Sequence, residues 1–594
     1  MIEVVPPAVL YLTAALLFPL FRRARPFRET FLLLVPLLAF WDLLQMTPGN
    51  QWTYSFLGYD LIFARVDKLS MVFGYIFVIM SFLGFLYAIH VKEDGQHVAA
   101  LLYVGSSLGV VFAGDLLSLF VFWEVMAVSA VFLVWYRRER SALNAGFRYL
   151  LVHLFGGAML LAGIVMQVFE TGSTAFGAMN LGNTASKFIL FGFLLNAAVS
   201  PLHAWLADAY PEGTVSGSVF MTAFTTKSGV YVLARSFAGT ELLVWLGAIM
   251  AVYGVIYAVL ENDIRRLLAY HIISQVGYMV CGVGLGSEMS INGTSSHAFC
   301  HILYKALLFM GTGAVIHVTG RRKLTELQGR NLYRMMPITF GLYMVGAFSI
   351  SAVPLFNGFV SKNMIVYSAG LLNRPVIELM LHLASIGTFL HTGLKLPWGT
   401  WFGKSTGHEE KVEATEPPFN MLLAMGVTAF LCILTGIYPQ LLYAILPYPV
   451  DFQPYAPDKV VAMFQLLLLT GVAFWLYIDK LAGEPTLSLD TDWFYRMFGK
   501  GLAWFCNQPL NEIRSGIQTS IRREILQIDH LSNNPYRIPK LIYFFLRGDV
   551  GEKYQIIMSE HFHVNTYKMS IGIAVATSVL FLFFFGLIYI IVGG

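Results

Sequence analysis

Charge is what this chain has least of: Lys, Arg, Asp and Glu make up 12% of its 594 residues, against about 25% in a soluble globular protein. A water-facing surface over most of the chain is therefore excluded. Cysteine is scarce too. Cys281, Cys300, Cys432 and Cys506 show no CxxC or CxxH spacing, and three of them lie in apolar runs. They read as packing residues rather than disulfides or metal ligands. The sequence has no glycine-rich phosphate loop, no nucleophile elbow and no site for a redox cofactor. No cofactor is expected, and this chain by itself is not expected to be an enzyme.

What is present is hydrophobic: 57% of residues, with 48 Phe and 53 Gly, a mixture suited to close helix packing in lipid. The apolar residues fall in runs of about 17–25, the length of a membrane-crossing helix. In hydrocarbon every backbone polar group needs a partner within the chain, so these runs must be helical. About 16 spans are read, at 7–21, 29–45, 66–91, 97–113, 116–136, 145–168, 187–211, 215–237, 241–261, 265–287, 292–319, 335–375, 377–403, 418–440, 460–480 and 567–592. The first ends in FRRARPFRE and reads as a span, not a cleaved leader. Span seven contains Pro201 and span twelve is interrupted from Pro354 to Gly358. Proline removes a helix hydrogen bond, so both should be broken helices.

Basic clusters set the orientation. Arg22, Arg23 and Arg25 follow span one, Arg137, Arg138 and Arg140 span five, Arg265 and Arg266 span nine, and Arg321, Arg322 and Lys323 span eleven. All four follow odd-numbered spans, which places those loops in the cytoplasm and the N-terminus outside. Residues 481–566 then lie on the cytoplasmic side. Within them Leu510, Ile513, Ile517, Ile521 and Ile525 recur at helical spacing, with Arg514, Arg522, Arg523 and Glu524 elsewhere. That pattern predicts an amphipathic helix along the membrane surface or a neighbouring subunit, with a folded cytoplasmic linker as the alternative.

A charge at mid-membrane costs about 2.5–3.5 kcal/mol on insertion scales, so its retention implies a task. Glu124, Lys227, Lys305, Lys362 and Lys395 lie inside apolar runs. His297, His301 and Lys305 share one helix face through their four-residue spacing. Burial disfavours the charged form of Lys and Glu alike, so both approach the neutrality at which a proton is exchanged cheaply. Histidine already titrates near pH 7. Each residue also has a plainer reading. Glu124 and Lys227 could serve structural pairing, and Lys305 could cap backbone exposed at a break. His153, His271 and His391 read equally as satisfied core histidines or relay members. Lys187 should snorkel, and Asp67 and Asp263 should hydrogen-bond near helix ends.

Four motifs in order resemble the antiporter-like proteins: PLHAWLADAYPEGTVSGSVFMTAFTTKSGVYVLAR (201–235), DIRRLLAYHIISQVGYM (263–279), HILYKALLFMGTGAVIH (301–317) and PLFNGFVSKNMI (354–365). That family comprises proton-pumping membrane subunits of respiratory complex I, large subunits of Mrp-type cation/proton antiporters, and counterparts in membrane-bound hydrogenases. The resemblance covers about residues 60–440. AYHIISQVGYM and FLHTGLKLPWGTWFG look more like the Mrp D-type subunit.

The resemblance implies an all-α polytopic fold: a 14-helix core of two inverted five-helix repeats, each with a broken helix. The C-terminal extension resembles the plan of complex I's most distal antiporter-like subunit, which has a long surface helix and an anchoring span. The expected divisions are 1–96, first repeat 97–237, second repeat 241–403, core helices 404–480, lateral segment 481–566 and anchor 567–594. The family's relay residues fall on Glu124, Lys227, His301, Lys305 and Lys362, with His271, His297, His391 and Lys395 as weaker members. Where the family commonly has a lysine five residues before the PLHAW proline, this chain has Asn196. No metal centre is expected beyond a candidate weak sodium site at Glu124 and Asn196.

The implied function is the ion-translocating subunit of a multisubunit Mrp-type Na+/proton antiporter in a prokaryotic inner (plasma) membrane. Its partners would be other membrane subunits, lipid, protons and sodium, and no nucleic acid. The alternatives are a pump module of a redox-driven complex, such as a membrane-bound hydrogenase or quinone oxidoreductase, and a structural subunit whose ion path Asn196 disables.

Overall fold

The computed structural model describes residues 4–21, 25–403, 414–481, 490–561 and 571–593. The basic cluster at Arg22 and Arg23 lies outside these residues. The N-terminal part runs through α1 (Pro7–Leu17), α2 (Arg25–Gln45), a hairpin of β1 (Gly49–Phe56) and β2 (Tyr59–Val66), α3 (Lys68–Ala88), α4 (Asp94–Phe112), α5 (Leu116–Trp135) and α6 (Arg140–Thr171). Next come α7 (Thr184–Asn196), α8 (Ala204–Ala209), α9 (Val215–Met221), α10 (Thr225–Ser236), α11 (Glu241–Leu260), α12 (Ile264–Leu285) and α13 (Glu288–Thr319). Two single turns, α14 (Leu324–Leu327) and α15 (Leu332–Met335), lead to α16 (Pro337–Ile350), α17 (Asn357–Leu371) and α18 (Pro375–Thr388). Wide π turns follow at Phe389–Lys395 and Trp398–Phe402. The remainder of this part is α19 (Phe419–Ile437), α20 (Gln440–Tyr443), α21 (Pro457–Leu476) and α22 (Ile478–Leu481).

Among the described residues, 11 helices are long and apolar enough to cross a membrane, and shorter apolar helices occupy Pro7–Phe21, Thr184–Asn196 and Pro337–Ile350. The protein is a mainly helical, multi-pass membrane protein. The hairpin is an element that the all-α reading lacks. It pairs Phe56 with Tyr59 across Leu57 and Gly58, both at positive φ, the backbone of a two-residue hairpin turn. Asp115 fixes it to the bundle by accepting from Ile62 N at 2.7 Å while capping α5 at Leu117 and Ser118.

Both expected broken helices are present. The seventh span stops at Asn196 and resumes at Ala204. The twelfth stops at Ile350 and resumes at Asn357, slightly earlier than the proline-to-glycine stretch suggests. A third break is new: the eighth span divides at Thr222–Phe224 into α9 and α10, with no proline there. Asp67 and Asp263 are helix N-caps, of α3 and α12, as their positions suggest. Lys187 is exposed, and Cys281, Cys300 and Cys432 are buried free thiols.

One end of the bundle gathers the loops that follow odd-numbered spans. Glu212 accepts from Arg137 at 3.0 Å and from Arg322 at 2.9 Å, and Arg322 pairs with Asp263 at 2.8 Å. Arg138 reaches Glu93 at 2.9 Å. The loops after spans three, five, seven, nine and eleven therefore share one end, as the basic clusters predict.

The chain divides into two compact units, Met1–Asp492 and Trp493–Gly594. In the second, α23 (Asp492–Asn507) and α24 (Pro509–Ser532) carry exposed apolar side chains, including Ile513, Ile517, Ile521 and Ile525. The amphipathic stretch is thus a helix, followed by α25 (Arg537–Arg547), α26 (Val550–Ser559) and the apolar α27 (Ile571–Gly593).

Candidate functional site

In the first half, Lys227 stands on the third residue of α10, immediately after the unforeseen break, and is fully buried. Its Nζ donates to Thr222 O at 2.7 Å and Thr226 Oγ1 at 3.1 Å. The break frees the Thr222 carbonyl, and the lysine supplies the donor that such a carbonyl needs away from water. Asn196 ends α7, and its backbone packs against Gly229, two residues beyond Lys227. Its side chain is buried with both amide atoms unpartnered. Glu124 is half-buried on α5, its Oε1 unpartnered and facing Gly157 of α6, where any larger side chain would strike it. His153 stacks on Tyr149 at 3.9 Å, and its Nδ1 lies 2.9 Å from Tyr149 O. Its Nε2 is buried without a hydrogen-bond partner.

The second half holds a longer array. His297, His301 and Lys305 are fully buried on α13. Lys305 Nζ lies 3.3 Å from His271 Nδ1, on α12, and His271 Nε2 lies 3.3 Å from Thr388 Oγ1. The Thr388 hydroxyl gives its own proton to Ala384 O at 2.8 Å. His271 must therefore donate through Nε2 and accept from Lys305 at Nδ1. The same reasoning applies to His297: Ser361 donates to Asn357 O, so the 3.0 Å contact is His297 Nδ1–H to Ser361 Oγ. That leaves Nε2 as a bare acceptor. Ser361 precedes Lys362, whose Nζ donates to Ile350 O, 3.2 Å away at the second break. His391 packs against His271 with ring centroids 4.9 Å apart. Lys395, at the end of the first π turn, donates to Val259 O and to Glu261 O at the close of α11. Lys227 is within electrostatic reach of both His301 and Lys305, which brings the two halves together.

Among the described residues no group of three or more His, Cys, Asp or Glu side chains is placed to hold a metal ion. The buried groups are protonic: amines, imidazoles and hydroxyls, linked donor to acceptor from Lys305 through His271 to Thr388, while both ring nitrogens of His301 have no hydrogen-bond partner. Groups of this kind can take up and release protons.

Residues 113–389, which contain every one of these groups except Lys395 and His391, match the family described as NADH:quinone oxidoreductase/Mrp antiporter, transmembrane. The Na(+)/H(+) antiporter A-subunit of Alkalihalophilus pseudofirmus is 29% identical over 428 residues, covering 64% of this chain and 52% of that protein. This chain thus spans about half the length of that relative. Among solved structures, the Mrp complex from Dietzia sp. DQ12-45-1b matches with a TM-score of 0.66 at 22% identity, over 78% of this chain and 98% of that one. The membrane-bound sulfane sulfur reductase, an archaeal respiratory membrane complex, matches with 0.65 at 23%, over the same shares. At those identities the likeness is one of fold.

Several residues escape a sequence reading. Thr222 carries no signal, because only the break exposes its carbonyl. Glu212 sits in AYPEG and looks like a loop residue until Arg137 and Arg322 converge on it. His203 of PLHAW looks like motif framework, and Asp490 stands in a segment with no motif at all.

Proposed function

We propose that this chain is an ion-translocating subunit of a multisubunit Mrp-type cation/proton antiporter in a prokaryotic plasma membrane. The observation that carries the reading is the buried array in which Lys305 meets His271 and lies within reach of Lys227. Desolvation makes every added charge in such an array costly, so charge enters one site only as it leaves another. Lys227 and Lys362 rest on carbonyls exposed by helix breaks, so protonation of either amine and the local backbone conformation are linked. A proton released by Lys305 has an acceptor in His271 Nδ1. The two halves, 97–237 and 241–403, act as coupled ion-carrying repeats, with partner membrane subunits completing the assembly.

A second reading, a pump module of a redox-driven complex, draws on the fold shared with the sulfane sulfur reductase. In that case the array is the same and other chains supply the driving reaction. The unpartnered Glu124 Oε1 and Asn196 amide favour a cation, sodium foremost, in the first half.

The test is exchange in vesicles holding the whole complex. Lys227→Ala and Lys362→Ala should each abolish cation-dependent pH-gradient dissipation with normal complex content. Full activity in both would reject the relay. Asn196→Lys should weaken sodium stimulation; unchanged stimulation would remove the sodium site. Wild-type vesicles inert to cations, yet pumping when a redox substrate of the complex is added, would favour the second reading.

A further inference from the structure

Asp490 lies in the stretch between α22 and α23, where a charged residue would be expected to face water. It is instead almost completely buried. Its carboxylate accepts from Tyr253 Oη on α11 at 2.5 Å and from Tyr270 Oη on α12 at 2.6 Å. The Thr491 amide donates to it as well, and Thr491 Oγ1 reaches Pro201 O at 3.3 Å. Tyr253 and Tyr270 each stand about two turns, roughly 10 Å, from the nearer helix end. The carboxylate is therefore held at membrane depth, where an ionisable group implies a function.

The fourth group facing it is His203, fully buried at the end of the first broken helix's gap, with Nε2 3.2 Å from Asp490 Oδ1. The surroundings are completed by Tyr257, stacked on Tyr253 at 4.5 Å and on Tyr270 at 5.2 Å. Arg266 lies over Tyr270 at 5.8 Å and pairs with Glu261 at 3.2 Å, and Asp492 interacts electrostatically with Arg266. Two phenol protons are committed to Asp490, which favours the ionised carboxylate. An ionised carboxylate can only accept, so Nε2–H of His203 faces Asp490 and the unpartnered Nδ1 is the atom that can take a proton, which would make the contact an ion pair.

We propose that His203 and Asp490 form a proton-binding site at the end of the first broken helix, loaded from the side on which the 490–492 segment lies. It rests on the antiporter reading and gives the first half a titratable pair where Asn196 replaces a lysine. The proton is taken from water onto Nδ1 and returned to water, with only that N–H bond made and broken, while Nε2–H stays on Asp490. Loading alters the attraction between the broken helix and the segment pinned to it, so ion uptake and movement at the break are joined.

The experiment uses the full chain in its complex, with exchange measured in vesicles over about pH 6–8, where imidazoles titrate. His203→Gln and Asp490→Asn should each lower exchange at least fivefold and flatten the wild-type pH dependence, and the double variant should lose no more than either single. Wild-type pH profiles, or additive losses, would overturn the site. If those variants fail to assemble, Tyr253→Phe and Tyr270→Phe remove one hydroxyl each, and an unmoved profile in both would overturn it equally. Lys227→Ala separates the two readings. If it abolishes exchange while the His203 and Asp490 variants behave as wild type, this site alone falls. If wild-type vesicles show no exchange, the antiporter reading falls with it.

Discussion

Among the four buried lysines, three rest on carbonyl oxygens at helix ends or breaks: Lys227 on Thr222, Lys362 on Ile350, and Lys395 on Val259 and Glu261. The fourth, Lys305, meets an imidazole. A helix end presents carbonyls with partial negative charge, which stabilise a cation without a formal counterion. The capping role considered for Lys305 thus belongs to its neighbours. A carboxylate with real counterions is Glu212. Burial pushes its pKa up, but Arg322, the Ser141 hydroxyl and Arg137 together hold it below the usual glutamate value. A depressed folded-state value contributes stability above the unfolded pKa and loses it as pH falls through the folded one. Glu212→Gln should therefore destabilise the purified complex at neutral pH by on the order of 2 kcal/mol, below the figure for a fully buried pair, read as a lowered thermal unfolding midpoint. The difference from wild type should shrink as pH falls below about 4.5, the ordinary value. A constant difference across that range would contradict the charge argument.

At the scale of elements, two of three helix breaks were legible because proline announces them. The break between α9 and α10 was not, since Thr222, Ala223 and Phe224 are compatible with a continuous helix. Its cause is tertiary: Lys227 and the packing around it reward an opened turn. The π turns before and after Pro397 are equally silent in sequence. Helices α11 and α12 pack backbone to backbone through Gly247, Gly254, Gly277 and Gly284. A Cβ on Gly277 would sit 2.5 Å from Ala251 N, and backbone cannot swing aside as a side chain can. Gly277→Ala should cost about 1–3 kcal/mol through overpacking, read as reduced thermal stability of the complex. Gly426→Ala on α19, where nothing lies within 4 Å, is the control and should be neutral. Equal stability of the two variants would refute the close-packing account.

For the whole molecule, the decisive feature is the shared end at which Arg137, Glu212, Asp263 and Arg322 meet. It makes the basic clusters a property of one face of the bundle. By the span count Cys506, exposed in the second unit, follows an odd-numbered span and is expected in the cytoplasm, while Cys281, Cys300 and Cys432 are buried. A membrane-impermeant maleimide should label the native chain at Cys506 in inverted vesicles and leave it unlabelled in intact cells. The opposite pattern would reverse the orientation. In the second unit α24 carries Ile513, Ile517, Ile521 and Ile525 at exposed positions, the pattern of a helix with one apolar face.

Apolar runs and basic clusters were enough to determine a multi-pass helical protein, and four motifs its resemblance to the antiporter-like proteins, while the apolar setting of Glu124, Lys227, His301, Lys305 and Lys362 was legible as a set of candidates. These are decided locally: a run of about 20 apolar residues has no other low-energy state in lipid, and a buried charge is conspicuous by its surroundings. Which groups touch was decided by tertiary structure alone. His271 joins Lys305 from 34 residues away, Glu212 gathers arginines from both halves, and Asp490 reaches His203 across 287 positions. Periodicity reports which face of a helix is buried, but not which distant helix will cover it. In a bundle whose helices are nearly all apolar, that choice is made by close packing and by the need of each buried polar atom for a partner.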